Sequence, residues 1–264
     1  MSILHMKLYH YTTIDSFTKI WLSQRLLFSE YKNANDLFER SKVLVGSGIY
    51  KVPNCHYNGN DYGVILSEAF DFFRSVLKEY RQISFCKDTE GGCEGCLLPM
   101  MWGQYANNEK GVCMEFEKDK LPIIKGKMML HEVIYSGSIP AICFNGEVLL
   151  SKKNIRQFIE NNHISYFFTK HKNWEQENEF RIVSRSFEYL SITDAVNAIY
   201  VLEPDSLETK LVKTLVGGKI PIRYLDIDVF HKNSGSYLIS QDLTEWGEER
   251  NAKIEFLKEE KRLI

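Results

Sequence analysis

Several things are scarce in this chain, and each shortage narrows what the protein can be. No apolar run approaches the ~20 residues that a membrane span needs, so no membrane partner is expected. The first seven residues, Met1 to Lys7, lack the apolar core of a secretion signal. Six scattered cysteines are too few for a disulfide framework in a chain of 264 residues. Reduced thiols and a cytoplasmic location are therefore expected. A net charge of -2 leaves no chain-wide electrostatic footprint for nucleic acid, although a local basic groove stays open. There is no Gly-x-Gly-x-x-Gly turn and no phosphate-binding loop ending in Lys-Ser/Thr, which argues against the common dinucleotide and nucleoside triphosphate folds. Repeats, low-complexity segments and obvious linkers are also missing.

What the chain does have is apolar residues, 44% of the total, with 13% aromatic. That is enough for a sizeable core, and a single domain over 1–264 is expected. Lys7 to Tyr11, Leu26 to Phe28, Ile83 to Cys86, Gly111 to Glu117, Val133 to Tyr135, Phe180 to Val183, Asn197 to Leu202 and Ile220 to Phe230 read as strands. Thr12, Thr13 and Asp15 open a helix whose apolar positions are Ile14, Phe17, Ile20 and Trp21. Further helices follow the stripe from Ile65 to Tyr80, the turns from Pro99 to Ala106, the segment capped by Ser151, and Ser206 to Leu215, closed by Gly217 and Gly218. Residues 40–63 read mostly as loop, and Glu248 to Ile264 as a charged surface helix. Short strands with interspersed helices, without strict alternation, predict an α+β fold.

Three groups of residues could carry chemistry. In Trp174-Glu175-Gln176-Glu177-Asn178-Glu179-Phe180-Arg181, Glu177 and Glu179 lie two apart before an apolar strand. At strand spacing both carboxylates face one side, with Arg181 beside them. Adjacent like charges are unfavourable unless a cation joins them, which a cationic substrate or transition state would do. The plainer alternative is a solvated Glu177–Arg181 ion pair on an edge strand. Glu179 is expected to be exposed, so Glu179→Gln should leave folding nearly intact. His10 sits inside the aromatic strand Tyr9-His10-Tyr11, where a histidine is more often a satisfied core residue. Ser84-Phe85-Cys86 and Trp102-Gly103-Gln104-Tyr105 supply aromatics that are either core or a stacking wall for a flat ring. Cys86, Cys93 and Cys96, with Cys55-His56, make a weak zinc pattern; there is no second Cys-x-x-Cys, so no metal is expected. Asn35-Asp36 makes a turn or lines a pocket. His163 and His171 read as solvated.

Tyr9-His10-Tyr11-Thr12-Thr13-Ile14-Asp15, with the helix and Leu26-Leu27-Phe28 after it, resembles the first motif of ADP-ribosyltransferases of the His-Tyr-Glu type. Glu177-Asn178-Glu179 before Phe180-Arg181-Ile182-Val183 resembles their late Glu-x-Glu motif. Together with Asn35-Asp36-Leu37-Phe38-Glu39, Met101-Trp102-Gly103-Gln104-Tyr105-Ala106 and Lys172-Asn173-Trp174, the chain also resembles a bacterial family of unknown function grouped with those enzymes. The resemblance implies a split mixed β-sheet with flanking helices, and NAD as a substrate. It implies Glu179 and Glu177 as catalytic residues, Glu179 at the nicotinamide ribose and Glu177 at the acceptor. It further implies NAD contacts from His10, Tyr11, Thr12, Asn35, Asp36, Ser84, Phe85, Trp102, Tyr105 and Arg181. The middle motif departs from the pattern, reading Ser84-Phe85-Cys86 where a tyrosine or a Ser-Thr-Ser run is expected, with Tyr105 as the substitute. The acceptor would be a macromolecule, protein or nucleic acid, as for a toxin or an antiviral defence effector. An NAD glycohydrolase and a non-catalytic nucleotide-binding module of the same fold are the alternatives.

Overall fold

The computed structural model describes residues 6–34, 36, 59–89, 94–107, 110–137, 151–228 and 237–242. Strand β1 (Lys7–Thr12) opens the described chain. Helix α1 (Ile14–Ser23) starts where the Thr13 hydroxyl accepts the Ser16 N–H at 3.3 Å. It ends at Gln24, which takes the left-handed conformation. Strands β2 (Arg25–Leu27) and β3 (Ser29–Glu30) follow, then α2 (Gly59–Glu79) and β4 (Arg81–Lys87). Helix α2 starts within the stretch whose composition suggested a loop, since Gly59 and Asn60 already lie in its first turn. Helix α3 (Pro99–Tyr105) carries proline in its first turn, where the missing N–H costs no bond. Then come β5 (Val112–Glu117), β6 (Met128–Glu132) and β7 (Ile134–Ser136). Helix α4 (Lys152–Asn161), capped by Ser151, leads through α5 (His163–Phe167) to β8 (Thr169–His171) and β9 (Glu179–Ser184). The described chain finishes with β10 (Tyr189–Ser191), β11 (Val196–Val201), α6 (Leu207–Val216), β12 (Ile222–Asp228) and β13 (Tyr237–Asp242). The expected helix at Glu248 to Ile264 lies outside the described residues.

The architecture is α+β with mixed strand pairing, and the chain forms two compact units. The first comprises residues 1–26, 85–122 and 190–264. Its strands run in the order β13-β12-β11-β5-β1 and then the end of β4. All of these pairs are antiparallel except β11 with β12. Alternation along β1 puts Tyr9 and Tyr11 on one face and Leu8, His10 and Thr12 on the other. Tyr9 and Tyr11 join a core with Cys86, Cys96, Met101, Trp102, Cys113 and Tyr200. Helices α1 and α6 are tied together by the Trp21 indole N–H, which donates to the Leu215 carbonyl at 2.8 Å.

The second unit comprises residues 27–84 and 123–189. There β9 lies between the start of β4 and β6, pairing antiparallel with β6 from Phe180–Glu132 to Ser184–Met128. Val183 of β9 packs with Phe73 and Val76 of α2, Ile155 and Ile159 of α4, and Tyr166, Phe167 and Phe168. Glu179 and Arg181 alternate with Phe180 and so share the face that Val183 presents to these helices. Among the described residues no helix is long and apolar enough to cross a membrane.

Candidate charged site on strand β9

The chain reaches β9 through a single 3₁₀ turn, Lys172–Glu177, which begins where His171 Nδ1 accepts the Asn173 N–H at 3.3 Å. His171, expected to be solvated, is half-buried and also caps this turn. The turn ends at Asn178, in the left-handed conformation at φ 44° and ψ 53°, a region that asparagine tolerates better than most residues. Glu177 is therefore not on the strand, as its spacing from Glu179 implied. The reversal at Asn178 nevertheless returns the Glu177 carboxylate to the same place.

That place is buried. Glu177 and Glu179 are 2% and 4% exposed, and β9 has neighbours on both sides, so a solvated edge pair is not what forms. Arg181, fully buried, clamps Glu179 through both oxygens, Nε to Oε1 at 2.6 Å and Nη2 to Oε2 at 2.8 Å. Its third nitrogen, Nη1, donates to the Phe167 carbonyl at 2.9 Å. Lys170 of β8 inserts its ammonium 2.5 Å from Glu177 Oε2 and 3.4 Å from Glu179 Oε2. The same ammonium lies 4.7 Å from the centre of the Trp174 ring, at cation–π distance. The cation demanded by two adjacent carboxylates is thus supplied from within the chain. Burial alone would raise the Glu179 carboxyl, but Arg181, Lys170 and the Ser84 hydroxyl outweigh it and hold the group at about 2.

Tyr135 of β7 completes the surroundings. Its hydroxyl accepts the Glu179 backbone N–H at 2.9 Å, and burial, followed by the nearby Glu179 charge, pushes its phenol upward. Asp36, 2% exposed, accepts the His171 N–H at 3.4 Å. The structure thus gathers Asp36, Ser84, Glu177, Glu179 and Arg181 in the second unit, while Asn35 lies outside the described residues. Sequence reasoning missed Lys170 and Tyr135. The one available signal was a lysine two residues after the apolar run Tyr166-Phe167-Phe168.

The remaining expected residues lie in the first unit and divide between two faces of one sheet. His10 is half-buried with its ring edge-on to Phe85 at 5.8 Å, and Phe85 in turn contacts Phe116 at 5.6 Å. Thr12 is on the His10 face by alternation along β1. Tyr11 and Trp102 lie on the opposite face, edge-on at 5.3 Å, and both are buried. The Tyr11 hydroxyl donates to the Gly95 carbonyl at 2.7 Å, and the Trp102 indole donates to the Cys96 carbonyl at 2.9 Å. Tyr105 packs against that same core. Phe85, not Tyr105, is therefore the aromatic residue beside His10. Cys86 and Cys96 are buried free thiols, and Cys93, Cys55 and His56 lie outside the described residues. Among the described residues no group of three or more His, Cys, Asp or Glu side chains is arranged to hold a metal ion.

Comparison with known proteins adds one family. Residues 101–182 match a family described as a protein of unknown function, DUF2971. The matched stretch includes Lys170, Glu177, Glu179 and Arg181. No curated protein and no solved structure gives a match to the chain.

Proposed function

We propose that this chain uses NAD as a substrate on an ADP-ribosyltransferase-like fold, transferring ADP-ribose to a macromolecular acceptor. The observation that carries this reading is Glu179, a carboxylate held ionised on the first residue of a rigid inner strand. Cleaving the bond between nicotinamide and ribose passes through an oxocarbenium-like state, as glycoside hydrolysis does. A pre-organised anion that accepts a ribose hydroxyl stabilises the charge growing on the ring, and it needs no reorganisation when it does so. Arg181 and Ser84 keep that acceptor in one orientation. Arg181 spends all three guanidinium nitrogens inside the protein, so its part is played through Glu179.

His10 is suited to the adenosine ribose, a positioning role with a half-buried ring steadied by Phe85. Glu177, bound to Lys170 beside Glu179, is the residue proposed to meet the acceptor. The experiment is incubation with NAD labelled in its adenylate part, together with cell extract. Label on a macromolecule supports transfer, and free ADP-ribose means that water is the acceptor. Unchanged NAD would overturn the reading and leave a nucleotide-binding module.

A further inference from the structure

We infer that the Tyr135 hydroxyl is a further substrate-contacting group of the Glu179 site, donating to one hydroxyl of the nicotinamide ribose while the Glu179 carboxylate receives the other. The inference rests on the reading of Glu179 given above. Tyr135 reaches this place through two strand pairings. Val133, two residues before it, donates its N–H to the Glu179 carbonyl at 2.8 Å, the last rung between this segment and β9. In an antiparallel hydrogen-bonded pair the return bond goes to the facing carbonyl. Here it goes to a side chain instead, because the Tyr135 hydroxyl accepts the Glu179 N–H at 2.9 Å. Further along, β7 runs parallel to β8 with Tyr135 opposite Lys170. Paired residues project from the same face of a ladder, and from that face the Lys170 ammonium reaches both carboxylates.

A phenol in place of a carbonyl changes what this position can do. A carbonyl only accepts, whereas a hydroxyl that accepts the N–H still has its own proton to give. That proton turns away from the N–H, and among the described residues the hydroxyl donates to none. Burial, followed by the nearby Glu179 charge, keeps the phenol protonated, so it stands beside the acids as a donor. Exposure points the same way. Of the groups bonded to Glu179, Arg181 and Lys170 are buried, while Tyr135 and Ser84 are half-buried. A ligand therefore comes to the carboxylate past Tyr135 or Ser84. An acceptor and a donor carried by neighbouring groups match a vicinal diol. One hydroxyl gives its proton to the carboxylate, and the oxygen of the adjacent hydroxyl takes the phenol proton. A ribose presents such a pair on adjacent carbons.

The test is calorimetry of the native chain and of Tyr135→Phe with NAD and with the two NAD analogues that each lack one hydroxyl of the nicotinamide ribose. Losing one hydrogen bond to a hydroxyl should weaken binding about tenfold. The native chain should bind both analogues more weakly than NAD by that factor. Tyr135→Phe should lose the same factor on NAD and on one analogue, and nothing on the other, whose missing oxygen is the one the phenol meets. A tyrosine that only holds the strand would cost affinity equally on all three ligands. That result, or NAD binding unchanged in Tyr135→Phe, overturns the inference. Phenylalanine also leaves the Glu179 N–H without its acceptor, so a lower melting temperature is expected. Should Tyr135→Phe fail to fold, the native chain decides. Weaker binding of both analogues supports the inference, and weaker binding of only one, which Glu179 alone explains, overturns it. A native chain that binds none of the three ligands removes the transferase reading and this contact with it, a result distinct from one in which NAD binds and the phenol does not discriminate.

Discussion

Replacing Glu179 with glutamine removes one charge from a buried group of four that balance. The amide oxygen still accepts one bond from Arg181, but Arg181 and Lys170 then face a single carboxylate, Glu177, which already belongs to the lysine. Breaking a buried ion pair by removing one partner costs about 3–5 kcal/mol. The direction in which the carboxyl is shifted agrees. Arg181, Lys170 and Ser84 outweigh burial and hold the folded carboxyl below its ordinary range, so the ionised form stabilises the fold. The folded value lies below the free one, so this stabilisation is fully present above about pH 4.5 and is lost as pH falls toward 2. Urea unfolding followed by circular dichroism, on both proteins at neutral pH and at about pH 3, reads the contribution of this buried acidic pair, because carboxylates distant from Glu179 cancel in the difference. The native chain should exceed Glu179→Gln by about 3 kcal/mol at neutral pH, and the gap should shrink in acid. A variant as stable as the native chain at neutral pH, or a gap that ignores pH, would refute the buried, ionised carboxylate.

Other outcomes follow from single contacts. Tyr11→Phe removes the donor to the Gly95 carbonyl and the acceptor of the Leu98 N–H, and should cost about 1–2 kcal/mol in urea unfolding. Gly111→Ala places a Cβ against the Thr12 carbonyl and 2.7 Å from the Ala106 Cα, where only backbone could yield; a lower melting temperature is expected, and an unchanged one would contradict the packing at the end of β1. His10→Ala should fold and bind NAD about tenfold more weakly in calorimetry, the loss of a hydrogen bond or two. A folded His10→Ala variant that binds NAD as the native chain does would remove His10 from the site. Cys86, Cys96 and Cys113 should resist a thiol reagent in the folded protein and react on unfolding, because burial withholds them and pushes the Cys96 and Cys113 thiols upward.

The parts of the fold that the sequence revealed are those whose signals are local. The caps at Thr13, Ser151 and Ser206 are short-range hydrogen bonds, and the helices begin where those residues sit. Strands β1, β5 and β11 stand out because apolar residues crowd both faces. Strand β6 has two of its five residues exposed and no regular alternation, and β8 is three residues long, so neither was legible. The charged site was half visible. Two glutamates before an apolar strand pointed to the place, and Arg181 two positions on pointed to one partner. The other partner, Lys170, reaches the pair only because β8 lies parallel to β7 and the chain doubles back at Asn178, and neither fact has a pattern in the residues themselves. The same gap explains why Glu179 read as an exposed group whose loss leaves folding nearly intact. Burial is decided by helices distant in sequence, and it turns a carboxylate worth little at the surface into a charge that its neighbours depend on.

The most direct test of NAD chemistry at Glu179 pairs two numbers for the glutamine variant, NAD affinity by calorimetry and the rate of nicotinamide release, both taken at neutral pH and at a temperature where the variant is folded. A group that acts at the breaking bond contributes mainly in the transition state. Glu179→Gln should therefore bind NAD nearly as tightly as the native chain and release nicotinamide slower by orders of magnitude. A folded Glu179→Gln protein that releases nicotinamide at the native rate would contradict the account.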